Sequence, residues 1–132
     1  MADLIQELKA DHASILAALQ QVKEAGVTSE RGRDRLQEAK RHLMEHLKRE
    51  DARFYPAVHR AARDNAELQR LVQTFAEDMD AVSKSALNFF NTYADGGSGI
   101  EFARDFGRLY ATIWRRQQKE EQFLYPEFER LA

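Results

Sequence analysis

The chain contains no cysteine, which excludes disulfides, thiolate metal sites, iron–sulfur clusters and cysteine nucleophiles. Proline is almost as scarce, with only Pro56 and Pro126 in 132 residues, so long helices meet few obstacles. Neither sign of charge dominates. The formal net charge is -2, without the basic excess expected of a nucleic-acid surface. No run approaches the roughly 18 apolar residues of a membrane span. The opening MADLIQELKADH also lacks the basic start and continuous apolar stretch of a secretory signal. Nucleophile-and-base triads, glycine-rich phosphate loops and dinucleotide fingerprints are missing too, so catalysis is not the leading expectation. The default is one soluble cytoplasmic domain over residues 1–132, monomeric or weakly homodimeric, with neither membrane nor nucleic acid as partner.

What is present is helical patterning. The composition, 43% hydrophobic and 32% charged, is that of a globular helical protein. Apolar residues recur at three- and four-residue spacing, the signature of one buried helix face. Leu4, Leu8, Ile15, Leu16, Leu19 and Val22 mark a first helix over about 3–24, with Asp3 and Gln6 as a capping box and Gly26 as its stop. A second helix starts near Thr28 or Ser29 and turns Leu36, Leu43, Leu47 and Phe54 inward. Pro56 is expected to kink or end it, with 57–63 as a bent extension and Asp64 and Asn65 recapping the chain. A third, over about 66–93, carries Leu68, Leu71, Val72, Phe75, Val82 and Phe89. The run ADGGSG at 94–99 holds three glycines and a serine in six residues and reads as a loop. Ser98 with Glu101 then caps a fourth helix over about 100–131, with Phe102, Phe106, Leu109, Ile113 and Leu124 inward. Short connections between long amphipathic helices predict an all-α, antiparallel up-down-up-down four-helix bundle.

The second and fourth segments share a string: EDARFYPAV at 50–58 and EEQFLYPEF at 120–128, 70 positions apart. Matched hydrophobics arise by chance between amphipathic helices, but two Tyr-Pro pairs in one register point to two copies of a helix pair. Tyr55 and Tyr125 are expected to pack at the bundle end with their phenols reaching water. Phe89 and Phe90 are adjacent and cannot both face one core, so one is expected to mark a partner surface.

His42, His46 and Glu50 fall at i, i+4 and i+8 along one side of the second helix. The apolar positions place His46 and Glu50 within the buried face and His42 at its edge. A buried carboxylate needs a cation, proton or metal to offset its lost hydration. His12 lies on the first helix's stripe between Leu8 and Ile15, and Glu120 on the inward side of the fourth. Two imidazoles and two carboxylates meeting from three helices would suit iron, manganese or zinc.

Asp11-His12, the string HLKRED from His46 to Asp51, the following Phe54-Tyr55-Pro56, and EEQFLYP from Glu120 to Pro126 together resemble the hemerythrin-like, or HHE cation-binding, family. The resemblance spans essentially the whole chain. It implies a four-helix bundle holding a non-haem di-iron centre through histidines and carboxylates, and roles in oxygen binding, iron or oxygen sensing, or protection against oxidative or nitrosative stress. By that resemblance His12 is the first-helix ligand, His46 and Glu50 the second-helix histidine and bridging carboxylate, and Glu120 the fourth-helix carboxylate. The other family ligands do not carry over. Met79 stands where the third helix places a histidine, Arg116 stands four residues before Glu120, and no histidine follows His59. One reading is therefore a single ion, iron or else zinc, on His12, His46, Glu50 and Glu120, with O2 or NO as its small ligand. In that reading His42 would substitute for a missing ligand if the helix turned slightly. The other is a metal-free bundle serving as a regulatory or protein-interaction module, in which Arg116 pairs with Glu50 or Glu120 and replaces the metal charge.

Overall fold

In the computed structural model, residues 2–26, 28–97 and 99–131 are described, and no strand occurs among them. Helix α1 (Ala2–Ala25) ends at Gly26, whose φ of 68° is left-handed and whose N–H closes onto the Val22 carbonyl at 2.8 Å. Asp3 sits inside the first turn of α1 rather than capping it, a place where a carboxylate still meets the positive end of the helix dipole. Helix α2 (Glu30–Arg49) is capped by Ser29, whose hydroxyl accepts from the Gly32 N–H at 3.1 Å. Asn65 caps α4 (Ala66–Thr92) through the Leu68 N–H in the same manner. Helix α5 (Gly99–Lys119) follows the glycine loop, with Glu101 in its first turn; Ser98, the expected cap, lies outside the described residues.

The Tyr-Pro pairs are resolved in one way at both copies. Instead of ending α2, Pro56 follows a π-helical turn at Glu50–Phe54 and the rod continues as α3 (Tyr55–Ala61). Likewise α5 passes through a π turn at Glu120–Leu124 into α6 (Tyr125–Leu131). Proline has no N–H and crowds the carbonyl four residues back. The widened turn accommodates this: the N–H of Tyr55 bonds the Glu50 carbonyl and that of Tyr125 the Glu120 carbonyl, five residues back in each case.

The core has two apolar compartments. Ile15, Leu19, Val22, Leu36, Leu43, Phe89, Phe90, Phe106, Leu109 and Ile113 fill one; Leu4, Leu8, Phe54, Val58, Leu68, Phe75, Leu124, Tyr125 and Phe128 fill the other. Each such side chain contributes on the order of 2 kcal/mol by leaving water. Both Phe89 and Phe90 are buried, so neither marks a partner surface. The end of α4 is covered on two sides, where Phe89 packs against Tyr93, Phe102 and Phe106 and crosses Phe90 edge-on at 5.8 Å. Gly97 closes this end, because a Cβ there would lie 2.6 Å from the Tyr93 ring. Among the described residues no helix is long and apolar enough to cross a membrane.

Between the compartments lies a layer of buried polar groups: His12, His46, Glu50, Arg116, Gln117 and Glu120. The sequence order explains the layering. His12 follows Leu8 and precedes Ile15; His46 and Glu50 separate Leu43 from Phe54; Arg116 and Glu120 separate Ile113 from Leu124.

Candidate metal centre

Four of the buried residues converge. One ligand atom from each of His12, His46, Glu50 and Glu120 lies within 4.8 Å of all the others. Helix α1 supplies His12 and α2 supplies His46, while the first position of each π turn supplies Glu50 and Glu120. His42 is half-buried and outside the group, since one turn of α2 toward the N-terminus carries it past the layer. His59 is exposed.

Each imidazole is oriented by a carboxylate from another helix. His46 donates from Nδ1 to Asp11 Oδ2 at 3.1 Å, and Arg49 also binds that oxygen. His12 donates from Nδ1 to Glu121 Oε2 at 3.0 Å. A carboxylate at these positions only accepts, so the Nδ1 proton is assigned to both rings and their Nε2 atoms face the centre. There His46 Nε2 lies 2.9 Å from Glu50 Oε1, and His12 Nε2 lies 3.3 Å from Glu120 Oε1. The Gln117 amide donates to the His12 carbonyl at 3.3 Å and ties α5 to α1.

Electrostatics separates the two glutamates. Burial alone would raise Glu50, yet His46, whose Nε2 lies 2.9 Å from Glu50 Oε1, brings its carboxyl down to about 2. Burial and the negative charge of Glu50 push Glu120 well above the usual carboxylate range. Burial also pulls His12 below the ordinary imidazole value, past the opposing carboxylates. For His46 burial acts in the same direction, but Glu50 and Asp11 outweigh it and the net shift is upward.

The centre fits a cation. His46 Nε2, Glu50 Oε2 and Glu120 Oε2 are buried and without a hydrogen-bond partner, an expensive arrangement for protein groups alone. With His46 neutral all three are Lewis bases, on residues that each bring a donor atom within 4.8 Å of the others, and nitrogen with carboxylate oxygen is a donor set for iron, manganese or zinc. The carboxylates behind the two histidines are the supports that metal-binding imidazoles use.

Arg116 is buried as expected but is directed elsewhere. Its guanidinium donates to Asp78 at 3.3 Å and to the Tyr55 hydroxyl at 3.0 Å, and lies 4.6 Å above the Phe75 ring. It makes no ion pair with Glu50 among the described residues, and its Nε stands 3.8 Å from Glu120 Oε1 without a hydrogen bond. Helix α4 supplies the ring and carboxylate that draw it outward.

Several contributors escaped the sequence reading. Tyr125, expected to reach water, is fully buried; its hydroxyl donates to Glu50 Oε1 at 3.2 Å and lies 3.3 Å from His12 Nε2. Asp11 and Glu121 were visible as neighbours of ligand candidates, in Asp11-His12 and Glu120-Glu121, but nothing in their spacing named the histidine each would hold.

No curated protein and no solved structure matches the chain significantly. The family model described as hemerythrin HHE cation binding domain matches residues 3–128. With nearly the whole chain matched, the chain belongs to the hemerythrin HHE cation-binding family.

Proposed function

We propose that the protein binds one metal ion through His12, His46, Glu50 and Glu120, and that this ion is iron. The observation that carries the reading is the set of buried, partnerless base atoms on His46, Glu50 and Glu120, in the polar layer where these residues and His12 converge. A single ion is proposed because the second half offers Arg116 and Met79 where a second ion would need imidazoles. Iron follows from the family resemblance and the mixed nitrogen–oxygen donors; zinc would satisfy the same atoms. Bound iron would supply reversible ligation of a small molecule and one-electron exchange.

A sensing or stress-response role through O2 or NO is supported by a cavity of about 20 Å³ beside His12, His46 and Glu120. It has room for about one small molecule and is walled by Ile15, Leu43, Leu47, Met79, Val82 and Ile113. The proposal also takes the chain as one cytoplasmic domain over residues 1–132, monomeric or a weak homodimer, with the helices running up-down-up-down. Supporting that topology, the start of α1 shares a compartment with Phe54 and Val58, and its end shares one with Leu36.

Elemental analysis of protein purified without affinity tag or chelator tests the reading. About one iron per chain is expected, with loss to background in His46→Ala. A chain that stays empty after loading with iron and zinc would sink it. That result would favour the metal-free module, to which the 3.8 Å approach of Arg116 to Glu120 lends some support.

A further inference from the structure

We propose that Tyr125 is itself a ligand, its phenol oxygen joining His12, His46, Glu50 and Glu120 around the ion; this rests on the single-ion reading above. Two donors held at about 2.1 Å from one ion lie about 3.0–3.4 Å apart, for right-angled to tetrahedral arrangements. The phenol oxygen is 3.3 Å from His12 Nε2 and 3.2 Å from Glu50 Oε1. The pairs His12–Glu120 and His46–Glu50 stand at 3.3 and 2.9 Å. Five donor atoms thus form one continuous chain at separations close to those of neighbours on a common ion.

With His12 in the Nδ1–H tautomer assigned above, the hydroxyl cannot satisfy both of its contacts. It carries one hydrogen, and in that tautomer the Glu50 oxygen and the His12 Nε2 lone pair are both acceptors, so one is left facing the phenol oxygen's lone pairs, a mismatch that a metal cation between them, or a second proton on His12, removes. Ligation breaks the phenol O–H bond and forms an oxygen–metal bond; the proton leaves to solvent and no electron is transferred. Tyrosine oxygen is an established type of iron ligand in proteins.

The equivalent tyrosine of the other half shows what happens when a protein cation is at hand. Tyr55 OH accepts from Arg116 at 3.0 Å, so its oxygen already meets a positive charge. Among the described residues no arginine or lysine bonds Tyr125, which is fully buried against His12 and Glu50. The repeat therefore carries two tyrosines at one register, each reaching into the opposite half, with a guanidinium answering one and the metal the other.

The test is the visible spectrum and resonance Raman scattering of the full chain loaded with ferric iron, with iron content measured on the same samples. A phenolate-to-iron charge-transfer band with tyrosine ring modes is expected, lost in Tyr125→Phe and kept in Tyr55→Phe. Iron bound at the wild-type level without that band, or a band that survives Tyr125→Phe, would overturn the ligand assignment and leave the single-ion reading standing. If the wild type retains no iron, both fall. Should Tyr125→Phe fail to fold, ring-deuterated tyrosine in the wild type decides: shifted ring modes support ligation, and their absence refutes it.

Discussion

In residues 46–58 a wide helical turn opens with a glutamate four positions after a histidine, and in residues 116–128 the same turn opens with a glutamate four positions after an arginine. The local folds match: Glu50–Phe54 and Glu120–Leu124 are both π turns, each followed by Tyr-Pro and a short helix. The electrostatics do not. Glu50 is brought down to about 2, whereas Glu120 is pushed well above the carboxylate range. A turn can thus place a carboxylate at one spot regardless of chemistry, while its surroundings set its charge: His46 lowers Glu50, whereas burial and the charge of Glu50 raise Glu120 past the opposing Arg116. Histidine lends its glutamate a close partner and a nitrogen donor that a metal could use. Arginine, bonded to Asp78 and Tyr55, stays 3.8 Å from its glutamate and only partly offsets the charge of Glu50 there.

The comparison breaks most visibly at the residue that differs. His46→Ala is expected to abolish metal retention, and Arg116→Gln to leave it near one ion per chain; equal losses in elemental analysis would show that the halves contribute alike. Next, the glutamates should respond oppositely in metal-free protein. Glu50→Gln removes an ionised partner of His46 and should destabilise by about 2 kcal/mol in urea unfolding. Glu120→Gln replaces a carboxyl that folding holds neutral, and should stabilise at pH 7. The pH dependence follows from the shifts. Glu50 is lowered, so its stabilisation is present above the ordinary glutamate range and disappears as pH falls toward about 2. Glu120 is raised, so wild type loses stability relative to Gln as pH climbs through and above that range. A shift of the same sign for both variants in chelator would overturn the asymmetry.

Smaller effects should appear behind the imidazoles. Asp11→Asn and Glu121→Gln each remove a carboxylate that orients a histidine, with about tenfold weaker metal binding expected by competition with a chelator. Asp11 should matter more, being less exposed than Glu121 (21% against 30%) and also bound by Arg49. The smallest effect belongs to what the halves share. Pro56 and Pro126 are exposed, and replacing either with alanine should shift stability by under about 1 kcal/mol, equally within error. Unequal shifts would mean that the two turns are not held alike.

Much of the bundle was legible along the chain because its causes are local. The three- and four-residue apolar spacing, the caps at Ser29 and Asn65 and the stop at Gly26 all act within a turn or two of themselves. His46 and Glu50 were readable as a pair for the same reason, since a helix brings i and i+4 together wherever it lies. The repeat EDARFYP and EEQFLYP announced two like turns, although their π character arose from the way a helix absorbs a proline it does not end at. Expectations failed where a residue's surroundings came from distant chain. Phe89 and Phe90 are both covered because α4 is flanked on two sides, and Tyr125 is buried because the rods converge at Phe54 and Phe128.

The amino-acid order accordingly decided which residues are helical, which faces are apolar, and that a polar layer interrupts each face at one level. It also decided that the second half holds no imidazole, since no histidine follows His59. Packing of the rods decided the pairings: Asp11 with His46, Glu121 with His12, Arg116 with Asp78 and Tyr55, and Tyr125 with Glu50 across 75 positions of chain. The physical reason is range. A helix repeats every 3.6 residues and fixes its own neighbours, but contacts of a few ångströms between helices depend on how those helices seat against one another, which no spacing along one of them records.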